Sequence, residues 1–292
     1  MAEELQIARV EQQLAVAEVP LGPPFTAHVW FVTVGAGMVL GLVAKAHLVL
    51  GLGFASGALA VSYFGWAIFA NARARRFNNE ANAALAALGR GELAKARDTF
   101  VRWSKSRNPV LSGMARHNLS WTLMLEGRLE EALTLIEDTA TYYARGLASH
   151  GMLSTTRVDA GLYNALLGKL DAAASWLEKA REPLAASPRP TFPGMLAILE
   201  AVIACRTDRA AAAVVVLERA LAEHEAAMTG ELLRLIRVTR AFALAVSGSP
   251  RSQGMVEQVL GDMRPRYAGE LTYLGSAWPE MAMFLAAHRL DT

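Results

Sequence analysis

The stretch Gly127-Arg-Leu-Glu-Glu-Ala132, followed by Ile136, decides how the rest of the chain is organised, because its pattern occurs four times. The other copies begin at Gly91, Gly168 and Asp208, and the four starts are spaced 36, 41 and 40 residues apart. Each copy has a turn residue, an apolar residue two positions on, a small residue three further, and a large apolar residue after four more. Apolar residues at helical spacing surround every copy, which is typical of a helical repeat protein.

This pattern resembles the tetratricopeptide repeat (TPR) family, in which each unit is a pair of antiparallel helices with small residues where the two helices touch. The family's usual period is about 34 residues, so the links here, such as 143–154 and 183–194, are longer. Helix axes approach to about 8 Å only where small side chains meet. The first helices carry Ala84, Ser120, Gly161 and Ala201 at this position, and the second helices carry Ala96, Ala132, Ala173 and Ala213.

The resemblance implies an all-α chain whose residues 72–292 form a TPR-like α-solenoid of antiparallel helix pairs. We expect repeats at about 78–109, 114–142, 155–183 and 195–224. A degenerate repeat is expected at about 232–263. Capping helices are expected to follow at about 271–290, either as two short helices or as one kinked helix, and to cover the open end of the stack. Residues 1–24 are expected to form a short helix and a proline-rich linker.

A charge-poor run precedes the repeats, with Lys45 as its one formal charge between Phe25 and Ala70. A bilayer core of about 30 Å needs about 20 apolar residues per helix. The run therefore predicts an N-terminal transmembrane hairpin with spans at about 25–44 and 49–70. Three arginines at 73, 75 and 76 follow the second span, and the positive-inside rule then puts the repeats in the cytoplasm. The alanine-, leucine-, arginine- and glycine-rich composition indicates a bacterial source, and hence the bacterial inner membrane.

The sequence carries no signal for catalysis, a cofactor or a metal site, so the chain is not expected to be an enzyme. No two of the six histidines are four residues apart, and no phosphate-binding loop is present. The net charge of +2 is too small, and its charges too interspersed, for nucleic-acid binding. The single cysteine, Cys205, lies in a helical pattern and is expected to be a packed thiol.

The resemblance also implies a binding site, because in the TPR family the first helices line a concave groove that receives a peptide. Asn82 and Asn118 occupy equivalent positions in two units, and asparagine amides can hydrogen-bond a peptide backbone. Trp121 is suited to packing between repeats as well as to contact with a ligand. The groove candidates are Asn82, Leu85, His117, Asn118, Trp121, Asp159 and Leu162.

These observations favour a membrane-anchored scaffold or adaptor that binds a protein or peptide partner on the cytoplasmic side of a lipid bilayer. A self-assembling structural membrane protein is one alternative, in which the glycine pairs Gly37/Gly41 or Gly53/Gly57 join copies into a homo-oligomer. A membrane enzyme with the repeats as an accessory domain is the other.

Overall fold

The computed structural model describes residues 48–147, 150–182, 190–248, 252–261 and 263–291. Within these ranges every regular element is helical, so the all-α expectation is confirmed. The α-helices are α1 (Leu48–Gly89), α2 (Leu93–Ser104), α3 (Pro109–Leu125), α4 (Leu129–Tyr142), α5 (His150–Leu166), α6 (Leu170–Arg181), α7 (Phe192–Arg206), α8 (Ala210–His224), α9 (Gly230–Val246), α10 (Ser252–Leu260) and α11 (Pro279–Ala287). A π-helical turn (Tyr143–Leu147) follows α4, and short 3₁₀ helices occupy Glu225–Ala227 and Thr272–Leu274.

The described residues divide into two compact units, 48–80 and 81–291. The first unit consists of the greater part of α1, which is 42 residues long. Four of its large apolar side chains, Tyr63, Phe64, Ile68 and Phe69, are between 49% and 70% exposed. These four side chains leave apolar area of α1 in contact with solvent.

The transmembrane hairpin expected from the sequence is not found in the described part of the chain. None of the helices there combines the length and the apolarity needed to cross a bilayer. The second expected span, 49–70, falls within α1, and this helix continues without a break to Gly89 instead of ending at Ala70. The first expected span, 25–44, and the expected short helix and linker at 1–24 lie outside the described residues.

Four tight turns in the second unit share one backbone geometry. The φ angle is +79° at Gly91, +75° at Gly127, +76° at Gly168 and +55° at Asp208. In each turn the N–H of the following residue donates to the carbonyl five residues earlier, at 2.8 or 2.9 Å. This is the Schellman ending of a helix, which requires one residue in the left-handed conformation. Glycine adopts that conformation without a Cβ clash, and aspartate is one of the few other residues that tolerate it.

The small residues of the repeated pattern are buried in the second unit. On the second helix of each unit, Ala96, Ala132, Ala173 and Ala213 have no exposed surface. On the first helices, Ala84, Ser120, Gly161 and Ala201 are buried as well. Each turn thus precedes an alanine that lets the next helix pack closely against its neighbours.

The helices from α2 to α10 pack against one another in chain order, and α7 also contacts both α5 and α9. Helix α5 is the most enclosed of them, because from Met152 to Leu166 every residue except Arg157 is buried. The N-terminus of α3 is fixed by Asn108, whose Oδ1 accepts from the N–H groups of Val110 and Leu111 at 3.0 and 3.2 Å. Such a cap satisfies helix donors that lack an intrahelical partner.

Candidate protein-binding face

The sequence resemblance assigns binding to the first helices of successive units, which here are α3, α5, α7 and α9. We call these four helices, together with the turn at Gly91, the first-helix face. The seven groove candidates lie on the C-terminal part of α1, on α3 and on α5, all within the second unit. The candidates Asp159 and Leu162 are buried, and Asn82, Leu85, His117, Asn118 and Trp121 are partly exposed.

Two of these candidates meet where α3 faces α5. Nε2 of His117 lies 3.5 Å from Oδ2 of Asp159, and Nδ1 of the same ring lies 3.5 Å from Oγ1 of Thr156. The Asp159 side chain is only 3% exposed and that of His117 is 14% exposed. A carboxyl group buried to this extent is stable only with polar partners around it. The arrangement therefore holds α3 against α5 and leaves little of Asp159 for a ligand to contact.

Tyr163 lies one helical turn beyond Asp159 and is fully buried. Burial raises the pKa of its phenol well above the ordinary value, and the neighbouring Asp159 carboxyl and Tyr273 phenol raise it further. Burial is also the main cause of the raised pKa of Tyr273, with Glu270 adding to it.

Consecutive units are tied together by Glu137 on α4. Its Oε1 accepts from Nε1 of Trp176 at 3.1 Å and from Nδ2 of Asn164 at 3.2 Å. Asn164 also donates to the carbonyl of Ala160 at 2.9 Å. One carboxylate thus joins α4, α5 and α6, and its role is structural.

Metal ligands and the one cysteine were expected from the sequence to form no reactive site. Among them, no group of three or more His, Cys, Asp or Glu side chains is placed to hold a metal ion. Cys205 is buried, and burial raises the pKa of its thiol to about 12. Because the thiolate is the reactive form, this cysteine is inert at neutral pH, in keeping with the packed thiol expected from the sequence.

The C-terminal segment adds residues to the first-helix face that sequence reasoning did not include. The 3₁₀ helix Thr272–Leu274 contacts α3, and the Tyr267 ring packs on the turn at Gly91, where a Cβ would lie 2.7 Å from its Cγ. The segment was expected to cover only the last repeat, but it reaches residues of the first and second repeats as well. The one sequence signal for this is an aromatic and apolar run without helical period between Pro265 and Pro279.

Comparisons of the chain with models of protein families, with curated proteins and with solved structures found no match.

Proposed function

We propose that the chain is a membrane-attached scaffold or adaptor, and that its helical repeats form a TPR-like solenoid that binds a segment of another protein. The observation that carries the proposal is the coincidence of two repeated features in 81–248. Left-handed turns recur at Gly91, Gly127, Gly168 and Asp208, and each is followed by a fully buried small residue at the same distance. A stack of such units serves mainly to present an extended surface to a partner.

The first-helix face supports the binding part of the proposal. Asn118 and Trp121 are neighbours on α3, and both are partly exposed. An asparagine amide supplies a donor and an acceptor to a peptide backbone, and a partly exposed tryptophan supplies apolar area together with a hydrogen-bond donor. Tryptophan in particular is enriched among the residues that carry most of the energy of protein–protein contacts.

The membrane part of the proposal rests on the sequence of 25–70 and on the surface of α1. The run holds one formal charge in 46 residues, and four large apolar side chains of α1 are at least 49% exposed. Arg75 and Arg76 follow them and are exposed as well. An apolar and aromatic surface next to arginines is suited to the boundary of an anionic bilayer. With the arginines on the cytoplasmic side, the repeats would lie in the cytoplasm.

The test is capture of partners by the tagged full chain from crosslinked, detergent-solubilised membranes of its native source. We expect the same partner in repeated preparations, and we expect the double variant Asn118→Ala/Trp121→Ala to lose at least ten-fold in recovery. A matched control is Glu130→Ala/Thr134→Ala, which changes two exposed residues on the second helix of the same unit.

Two results would count against the proposed function. One is the absence of any reproducible partner from membranes that contain normal amounts of folded chain. The other is a partner whose recovery falls equally for both variants, because that would show contact with the unit as a whole and not with its first-helix face. Circular dichroism and thermal melting of each variant establish that the chain is folded.

A further inference from the structure

The segment 264–278 packs on residues of the first-helix face. It contains only one turn of regular structure, the 3₁₀ helix Thr272–Leu274. Nevertheless the side chains of Glu270, Tyr273, Leu274 and Trp278 are at most 4% exposed. An irregular segment buries such side chains only by packing them on other elements, because it has no core of its own.

Charged groups hold the first half of this segment on α9. Nη2 of Arg234 donates to Oε2 of Glu270 at 2.8 Å and to the carbonyl of Arg264 at 2.7 Å. Arg266 completes the network, since Nε donates to Oε1 of Glu270 at 2.6 Å and Nη1 donates to Glu231 at 2.8 Å. The Glu270 side chain is 4% exposed. Hydrogen bonds to a carboxylate as enclosed as that of Glu270 are strong and depend on both partners being present.

Aromatic side chains hold the same segment at other places on the face. Tyr267 covers the turn at Gly91, and the 3₁₀ helix that carries the buried Tyr273 contacts α3. The Trp278 ring packs edge-to-face on Phe242 of α9, with ring centroids 4.8 Å apart.

Arg206, at the end of α7, is fixed from two sides. Its guanidinium lies over the Trp278 ring at 5.2 Å from the centroid, and its Nη2 lies against Gly168. The segment thus contacts residues from the first helices α3, α7 and α9.

We propose that residues 264–278 are a built-in ligand of the first-helix face, and that an external partner binds there by displacing them. The partner is a protein segment that presents a carboxylate between two aromatic residues, the chemistry of Tyr267, Glu270 and Tyr273. Arg234 binds the carboxylate of either ligand. The displacement rests on the function proposed above, whereas the built-in ligand rests on the contacts of this chain.

When the face is occupied in most molecules, the apparent affinity for an external ligand is the intrinsic affinity multiplied by the fraction of molecules in which the face is open. The probe is a fluorescent peptide of the chain's own residues 263–279, added to the detergent-solubilised full chain and followed by fluorescence polarisation. In the opened variant, Tyr267→Ala/Glu270→Gln, only the segment is changed and the face is intact. We expect this variant to bind the peptide at least ten-fold more tightly than the unaltered chain. Addition of Arg234→Gln is expected to remove the gain, and a peptide carrying Glu270→Gln is expected to bind at least ten-fold more weakly.

A second form of the full chain keeps the test independent of how the opened variant folds. A protease site inserted after the exposed Gly261 lets the segment, together with α11, be cut from helices α1 to α10 without any substitution in the segment or in the first-helix face. The labelled peptide 263–291 is expected to exchange into the cut protein and not into the uncut one. Equal peptide binding by the unaltered chain and the opened variant, or a folded cut protein that does not exchange, would overturn the proposal.

The partner-capture experiment separates this inference from the proposed function. A native partner recovered equally by the unaltered and opened chains would overturn displacement while leaving the proposed function in place. Peptide exchange in preparations that never yield a native partner would support the built-in ligand and count against the proposed function.

Discussion

A Cβ on Gly161 would lie 2.6 Å from Cδ2 of Leu199, so α5 and α7 touch at a point where no side chain fits. The same Cβ would be 3.3 Å from Cβ of Trp176 on α6. Leu199 is fully buried and has little space into which it can turn. Close packing of this kind makes the position sensitive to a single methyl group.

We predict that Gly161→Ala lowers the free energy of unfolding by about 1–3 kcal/mol, the usual cost of overpacking a core. Urea denaturation followed by circular dichroism measures it. Gly254→Ala is the control, because nothing lies within 4 Å of a Cβ at that helical position, and there the substitution is expected to be neutral or slightly stabilising. Equal destabilisation by both would show that Gly161 is not a contact point.

The left-handed turns allow a prediction about backbone strain alone. Gly127 has a φ of +75°, and a Cβ added to it would have no atom within 4 Å, so Gly127→Ala is expected to cost about 1–2 kcal/mol through its backbone conformation. The reverse change, Asp208→Gly at a φ of +55°, is expected to stabilise the chain by about 0.5 kcal/mol. Melting temperatures of the two variants should shift in opposite directions. A shared direction would contradict the equivalence of the two turns.

The carboxylate that joins three helices offers a third test. Glu137→Ala leaves the N–H of Trp176 and the amide of Asn164 without the oxygen that accepts from them. The expected loss is about 1–3 kcal/mol of unfolding free energy, the cost of leaving one buried and one part-buried donor unpaired. Glu137→Gln keeps one acceptor and is expected to cost less. Glu130→Ala, on the exposed side of the same helix, is the matched control and is expected to be neutral.

The pKa of Cys205 predicts its reactivity. Burial raises this pKa to about 12, so about 10⁻⁴ of the folded molecules carry a thiolate at pH 8, against about a quarter of unfolded ones. Modification by a thiol reagent at pH 8 is therefore expected to be at least a hundred-fold slower in the native chain than in guanidinium chloride. Because the folded pKa exceeds the unfolded one, this group's contribution to stability is fully present below the unfolded pKa of about 8.5 and is lost as the pH rises towards the folded value. Introducing Glu130→Cys should add one rapidly reacting thiol, and equally rapid reaction of Cys205 would contradict its burial.

The features that the sequence predicted are those decided within one or two helical turns. The recurrence of glycine and alanine predicted helices and small contact residues, because a turn needs a left-handed residue and a close contact needs a small one wherever they stand. The packing of Tyr267 on Gly91 joins distant parts of the chain, and no local preference specifies such a contact. The burial of Asp159 beside His117 likewise depends on how α3 and α5 face each other. The repeat pattern placed both His117 and Asp159 in the groove, but it did not show that Asp159 is enclosed.

The exposed side chains of α1 lead to a prediction about lipid. Phe64, Ile68 and Phe69 are 63%, 70% and 64% exposed, and burying each of them in a bilayer would gain about 1.5–3 kcal/mol. We expect the full chain, removed from detergent in the presence of vesicles of phosphatidylcholine and phosphatidylglycerol, to float with them on a density gradient. Replacement of these three residues by serine is expected to reduce the floating fraction at least five-fold, and Val215→Ser, at an exposed apolar residue of α8, serves as the control. If the triple variant floats normally but loses a homo-oligomer seen by crosslinking, the apolar surface joins copies of the chain and does not contact lipid.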